Sequence, residues 1–233
     1  GGTGRVGCIH MGAGQPGTGA PRKAREAAAS AVMDDALGYT VALGLPELRQ
    51  RISQLYRDWY GLNVPASRIV VTAGSSAAFL LAFLAGFEAG DRIATVAPGY
   101  PSYRNILKAL SLDVAELPGA ESADWRATAT LFDAAGEFDG ALVASPSNPT
   151  GSMLDRAALA DMIAVTQAKG ATFISDEIYH GLHFGERAVS ALEVSDDVIV
   201  INSFSKYFSM TGWRIGWMVV PDEMVRPIER LAQ

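Results

Sequence analysis

A three-layer α/β/α domain on a mainly parallel, seven-stranded sheet is the fold class this sequence predicts, and three observations carry the prediction. Short strand-like runs alternate with helix-like stretches from Ile69 onward. The stretches between them are long enough to be crossovers, which parallel strands need and antiparallel strands do not. Several runs, Val198-Ile199-Val200-Ile201 above all, are apolar without a break, as strands covered on both faces are.

In chain order, Ile69 to Thr72 opens the series with β-branched residues, and Ser75 to Phe87 follows as a helix apolar enough to be buried. Arg92 to Ala97 is the second strand, with a helical pattern over Tyr100 to Leu110 behind it. Asp113 to Leu117 is the third strand and Gly140 to Ala144 the fourth. Asp155 to Lys169 has helical periodicity and leads into Ala171 to Ser175. Val198 to Asn202 and Ile215 to Val220 complete the strands, and Asp222 to Leu231 is the last helix.

The chain has 233 residues, 49% of them hydrophobic, enough to bury a sizeable core. Nineteen Lys and Arg stand against 25 Asp and Glu, a net charge of −6, and the basic residues are scattered, so nucleic acid is not expected as a partner. Ala77 to Phe87, the longest apolar stretch, falls well short of the ~20 residues that cross a bilayer, and no charged-then-apolar leader opens the chain. No membrane association is expected. A single cysteine, Cys8, allows no intramolecular disulfide and fits a reducing compartment; a cytoplasmic location is expected. Gly1-Gly2-Thr3-Gly4 lacks a methionine, and Arg226 to Gln233 stops inside a helical pattern, so the chain reads as a piece of something longer.

In a sheet of this kind, ligands sit beyond the carboxyl ends of the strands, and four groups of polar residues fall there. Gly74-Ser75-Ser76 follows the first strand, Asn148-Pro149-Thr150-Gly151 the fourth, Asp176 the fifth, and Ser203-Phe204-Ser205-Lys206 the sixth, with Arg214 eight positions after the lysine. An amine, hydroxyls and a guanidinium suit a cofactor bearing an aldehyde and a phosphate: the lysine condenses with the one, serines and the forked arginine hold the other. Pyridoxal phosphate is the natural candidate. Each group has a plainer reading as well: Ser75 or Asp176 as an N-cap, Asn-Pro-Thr-Gly as a turn, Lys206 as a loop lysine.

Read together, Gly14-Gln15-Pro16, Gly38-Tyr39, Gly44-Leu45-Pro46-Glu47-Leu48-Arg49, Pro98-Gly99-Tyr100-Pro101-Ser102-Tyr103, Asn148-Pro149-Thr150-Gly151, Asp176-Glu177-Ile178-Tyr179 and Ser203-Phe204-Ser205-Lys206 through Gly212-Trp213-Arg214-Ile215-Gly216-Trp217 follow one order. From about Gly12 to Pro221 the chain resembles the fold-type I, pyridoxal-phosphate-dependent aminotransferases of class I/II, of the aspartate aminotransferase kind. The resemblance implies a large domain over residues 37–233, incomplete at its C-terminal end, an N-terminal arm and small-domain segment over 1–36, and a C-terminal small domain absent from this chain.

It implies Lys206 as the Schiff-base lysine and proton-transferring base, with its pKa lowered by burial beside other cations. Asp176 would be the acid that keeps the pyridine nitrogen protonated. Tyr179 and Asn148 would bond the phenolic oxygen, and Tyr100 would stack on the ring. Ser75, Ser76, Ser203, Ser205 and Arg214 would hold the phosphate, the first two at a helix N-terminus. Tyr39 would reach the phosphate of a partner subunit, in a homodimer with shared active sites. Gly14 and Asn148 are expected at the substrate, and relatives often have a cis peptide at Asn148-Pro149.

The implied reaction is ping-pong transfer of an amino group from an L-amino acid to a 2-oxo acid. Alternatives with the same cofactor are a C-S lyase or a decarboxylase-like enzyme; one without turnover is the cofactor-binding sensor domain of a transcriptional regulator. Gly17 and Thr18 depart from the acid and aromatic often found after the Gly-x-Pro triplet, and Ser76 and Ala77 from the lysine and glutamine of some dicarboxylate-specific relatives. The family's substrate-carboxylate arginine belongs to the C-terminal small domain, and no arginine here takes its place.

Two other patterns carry less. Gly12-Ala13-Gly14-Gln15-Pro16-Gly17 spells a dinucleotide-binding motif after the strand-like Val6 to Met11, but Pro16 interrupts it and the next helix starts near Pro21 and ends at Asp34-Asp35. Asp176, His180 and His183 have helical spacing for a metal, with His10 elsewhere, but Gly181 and Gly185 break the helix, and no metal is expected. Cys8 and Met210 read as packing residues.

Overall fold

In the computed structural model of the chain, residues 14–233 are described. The strand-like Val6 to Met11, Cys8, His10 and the Gly12-Ala13 start of the glycine motif lie outside them.

Seven strands, β1 (Ile69–Thr72), β2 (Arg92–Ala97), β3 (Asp113–Pro118), β4 (Gly140–Ala144), β5 (Thr172–Asp176), β6 (Ile199–Ser203) and β7 (Gly216–Val219), form one sheet in the order β1-β7-β6-β5-β4-β2-β3. Pairing is parallel from β6 across to β3 and antiparallel on both sides of β7. The exception has a simple cause. Between Ser203 and Gly216 there is only a loop with a short 3-10 turn over Thr211–Trp213, and without a crossover helix the chain must come back beside β6 in the opposite sense.

The helices are α1 (Arg22–Asp34), α2 (Pro46–Tyr60), α3 (Ser75–Gly86), α4 (Pro101–Ala109), α5 (Ala129–Asp133), α6 (Arg156–Ala168) and α7 (Asp222–Leu231). Side chains alternate across the strands into two cores. Ile69, Ala141, Val143, Phe173, Val200, Trp217 and Val219 pack with α2, α5 and α6. Val70, Ile93, Leu142, Ile174, Ile199, Ile201 and Met218 pack with α3, α4 and α7 on the other face. Burial on both faces makes Val198 to Ile201 wholly apolar.

Two helices come without a sequence reading. α2 carries Pro at its start and Gly61 in the left-handed conformation (φ 72°) at its end, the usual asymmetry of helix termini, and it buries only Ile52 and Tyr56. α5 is five residues long, capped by Thr128 Oγ1 accepting from the Leu131 N–H. α1 spans the interval read between Pro21 and Asp34, with no residue buried.

Candidate active site

The carboxyl ends of the parallel strands open into one cleft of about 1650 Å³, solvent-filled mouth included. Its walls come from five elements, and the sheet positions each.

At the end of β5, Asp176 is buried, with one carboxylate oxygen accepting from the Ile178 N–H at 3.0 Å and the other from the Tyr103 hydroxyl. Burial pushes its pKa up to about 6, and the two hydrogen bonds pull the other way. Tyr103, on the buried face of α4, packs edge-on against Phe79 and Tyr100, with ring centres 5.2 and 5.4 Å away. Its own hydroxyl is held far from ionisation by burial and by Asp176. The sequence motif alone assigns Tyr103 no role; its three-residue spacing from Tyr100 at a helix start is the available signal.

Beyond β6, Lys206 is partly buried, its Nζ donating to the Gly14 carbonyl at 2.8 Å and lying 5.8 Å from the Tyr179 ring centre. Its pKa is lowered by burial alone; no neighbouring cation takes part. Tyr179 is raised above the ordinary phenol value by burial, then by Asp176 and Tyr100, while the Asn148 side chain works in the opposite sense. Asn148 reaches the cleft from the loop after β4, where Asn148-Pro149 is cis, as expected; Ala97-Pro98 and Ser145-Pro146 are cis as well.

The remaining wall is built for an anion. α3 begins without a side-chain cap: Gly74, not Ser75, is its N-cap residue, so Ser75 and Ser76 sit in its first turn with free backbone N–H groups. Arg214 occupies the left-handed region (φ 55°), rare for a residue with a side chain, and its Nη1 donates to the Thr211 carbonyl at 2.9 Å. Its guanidinium lies against Gly74, where a Cβ would come within 2.4 Å of Nη2. A Cβ on Gly216 would meet the Ser75 nitrogen at 2.8 Å. These two glycines let the arginine and the helix start converge.

Gly14, Ser75, Ser76, Tyr100, Asn148, Asp176, Tyr179, Ser205, Lys206 and Arg214 thus line one cleft, with Thr211 and Tyr103 added by the structure. Ser203 stands apart: it is buried, and its Oγ accepts from the Ser205 N–H at 2.8 Å, shaping the turn before the lysine. Tyr39 is fully exposed outside the cleft. His180 and His183 do not line the cleft, and no cluster of three His, Cys, Asp or Glu suited to a metal occurs among the described residues. No helix among them is long and apolar enough to cross a membrane.

The donor set fits pyridoxal phosphate. A buried carboxylate, a partly desolvated amine, a phenol beside an amide, and a guanidinium over an uncapped helix start share one cleft, and the Gly74 gap lets guanidinium and helix meet at one anion.

The family model described as "Aminotransferase class I and II" matches residues 6–233. The valine–pyruvate aminotransferase of Mycobacterium tuberculosis is 45% identical over 229 residues, covering 96% of this chain and 58% of that protein. A solved protein of Silicibacter pomeroyi is 54% identical with a TM-score of 0.90, over 98% of this chain and 59% of its own. The aspartate aminotransferase of Thermus thermophilus with maleate is 27% identical with the same TM-score of 0.90, over 94% and 58%. The chain therefore spans about three fifths of the length of these relatives.

Proposed function

The chain belongs to the class I and II aminotransferases, and from that premise we propose that the full protein moves an amino group from an L-amino acid to a 2-oxo acid, in two half-reactions at this cleft. What carries the reading is the convergence of Asp176 and Tyr179, from the end of β5 and the turn after it, with Lys206 and Arg214, from the span between β6 and β7, on one cavity. Pyridoxal phosphate, when bound, supplies the electron-accepting ring.

Arg214, Ser205 and the first turn of α3, with Ser75 and Ser76, hold the phosphate. Asp176 accepts the pyridine N–H; its burial strengthens that pairing because no water competes. Tyr179 and Asn148 would bond the phenolic oxygen, and Tyr100 would cover one ring face. Lys206 would hold the aldehyde carbon and move the substrate Cα proton. Burial helps by favouring its neutral form. Gly14 and Asn148 border the substrate, and Ser203 acts through the backbone of Ser205. Tyr39 serves the phosphate of a partner subunit in a homodimer, and residues 37–233 supply the cofactor-binding part.

Valine and pyruvate are the first donor and acceptor to try, since the M. tuberculosis relative bears those names; Ser76 and Ala77 disfavour the dicarboxylate route. The full-length protein loaded with pyridoxal phosphate should show a visible band that the amino donor bleaches and the 2-oxo acid restores, with product and acceptor in equal amounts. Ammonia as the main product would overturn the transfer reading. Lys206→Ala should lower turnover by about four orders of magnitude or more, the scale of losing an essential base or nucleophile. Turnover within tenfold of wild type would remove Lys206 from its role.

A further inference from the structure

Behind the cleft wall lies a buried polar cluster that the proposed reaction does not use. His180 directly follows Tyr179 and is 2% exposed. Its Nε2 is 2.9 Å from the Ser145 carbonyl oxygen, which can only accept, so this nitrogen carries a hydrogen. Its Nδ1 is 2.7 Å from the Tyr60 hydroxyl. In the neutral ring that nitrogen is the acceptor, and Tyr60 donates to it.

The Ser145 peptide faces both ways. Its carbonyl accepts from the His180 Nε2–H, its N–H donates to the Asp176 carbonyl at 3.2 Å, and its Oγ accepts from the Leu154 N–H at 2.9 Å. Three residues on stands Asn148. A single imidazole therefore ties the end of α2, the β4 loop that carries Asn148, and the β5 turn that carries Asp176 and Tyr179.

Glu177 braces the ring from the other side. Its Oε1 accepts from Ser175 Oγ (3.2 Å), Ser190 Oγ (3.0 Å) and the Ala191 N–H (2.8 Å), while Oε2 is buried without a hydrogen-bond partner, 3.6 Å from His180 Nδ1. The other charged or titratable groups nearby are Arg187, 5.0 Å from the Tyr60 ring centre and doubly bonded to Glu193, and His183. Burial pushes the His180 pKa down to about 4 and Glu177 up to about 8, so the ring stays neutral over the working pH range.

We propose that His180, locked between Tyr60 and the Ser145 carbonyl, is a positioning residue that sets the Asn148–Tyr179 pair against the phenolic oxygen of the cofactor. The inference rests on the function proposed above, because the pair matters only if that oxygen lies between them. What His180 contributes is distance: Asn148 and Tyr179 come from different loops, and the imidazole is the strut across the gap.

The test compares His180→Leu, which removes both hydrogen bonds, with His180→Gln, whose amide N–H can still reach Ser145. In the full-length protein with pyridoxal phosphate, His180→Leu should move the pH midpoint of the visible band upward by about one unit, a tenfold change in proton affinity. His180→Gln should restore most of the wild-type midpoint. In the cofactor-free protein, hydrogen exchange over residues 145–151 and 178–182 should quicken about tenfold in His180→Leu and stay unchanged at β1.

A lower melting temperature with both readouts unmoved would make His180 a packing residue and overturn the proposal. Should His180→Leu fail to fold, Tyr60→Phe removes the Nδ1 bond alone; a midpoint shift of the same sign supports the strut, and an unshifted midpoint with unchanged exchange overturns it. The two readings separate cleanly. A wild-type protein that shows no visible band refutes the function proposed above, and the exchange comparison still decides the strut.

Discussion

Burial shifts the two ionisable groups that define the site toward their neutral forms, Lys206 downward and Asp176 up to about 6. For Asp176 the Tyr103 hydroxyl and the Ile178 N–H offset part of that shift. Tyr103→Phe removes one hydrogen bond to the charged form, so the carboxyl pKa must rise. In the cofactor-free protein the titration midpoint of Asp176 should move up by about one pH unit. A midpoint that stays put would show that Tyr103 only packs. The same burial has a stability consequence. An acid whose folded pKa exceeds its unfolded value, 3.8, takes up protons on folding, so the native state is favoured below about pH 4 and loses that advantage as pH rises through about 6. The loss amounts to about 3 kcal/mol at most. Without cofactor, Asp176→Asn should therefore melt above wild type at pH 8 and level with it at pH 4. Equal melting temperatures at both values would mean that water reaches this carboxylate. None of this was readable from a run such as Thr172-Phe173-Ile174-Ser175-Asp176: position after a strand marked the acid, but its phenol partner comes from a helix 73 residues earlier in the chain.

Among the elements, α3 and its approach to Arg214 carry the sharpest expectation. Gly74 has φ 81° and no room for a Cβ. Gly74→Ala should displace the guanidinium and weaken pyridoxal phosphate binding about tenfold or more, on the scale of one charge-assisted hydrogen bond. Gly61→Ala, at the end of α2, is the control: φ is 72° but the space is open, so it should cost about 1 kcal/mol of stability and leave cofactor affinity unchanged. Equal loss of affinity in both variants would point to general unfolding. The helices also show which elements a sequence reveals. α3, α4 and α6 lie within a residue or two of their expected bounds because each fills the interval between two evident strands, and α7 because it follows directly on the evident strand β7. α2 precedes the first strand and is mostly polar, so its sparse apolar positions Leu48, Ile52, Leu55 and Tyr56 had no neighbouring pattern to frame them. α5, one and a half turns long, is too short for periodicity to register.

Across the whole molecule, residues far apart in sequence meet because parallel strands deliver their carboxyl ends to one edge. That much was legible: apart from Ser203, the candidates placed after β1, β4, β5 and β6 share a cleft. The buried strut behind it was not, since His180 and Tyr60 meet only through tertiary packing. The proposed homodimer gives a test at this scale. If Tyr39 serves the neighbouring subunit, mixing inactive Lys206→Ala with impaired Tyr39→Ala protein should recover activity, because mixed dimers contain one intact site. Simple averaging of the two parent activities would place Tyr39 elsewhere. The reversed course of β7 has its own consequence. Because β6 and β7 are zipped to each other through Ser203 and Gly216, and β7 is stitched again to β1, the fourteen residues from 203 to 216 form a span moored at both ends to the middle of the sheet. The amine of Lys206 can swing on its own four-carbon tether, but the pier beneath it cannot drift unless two ladders part.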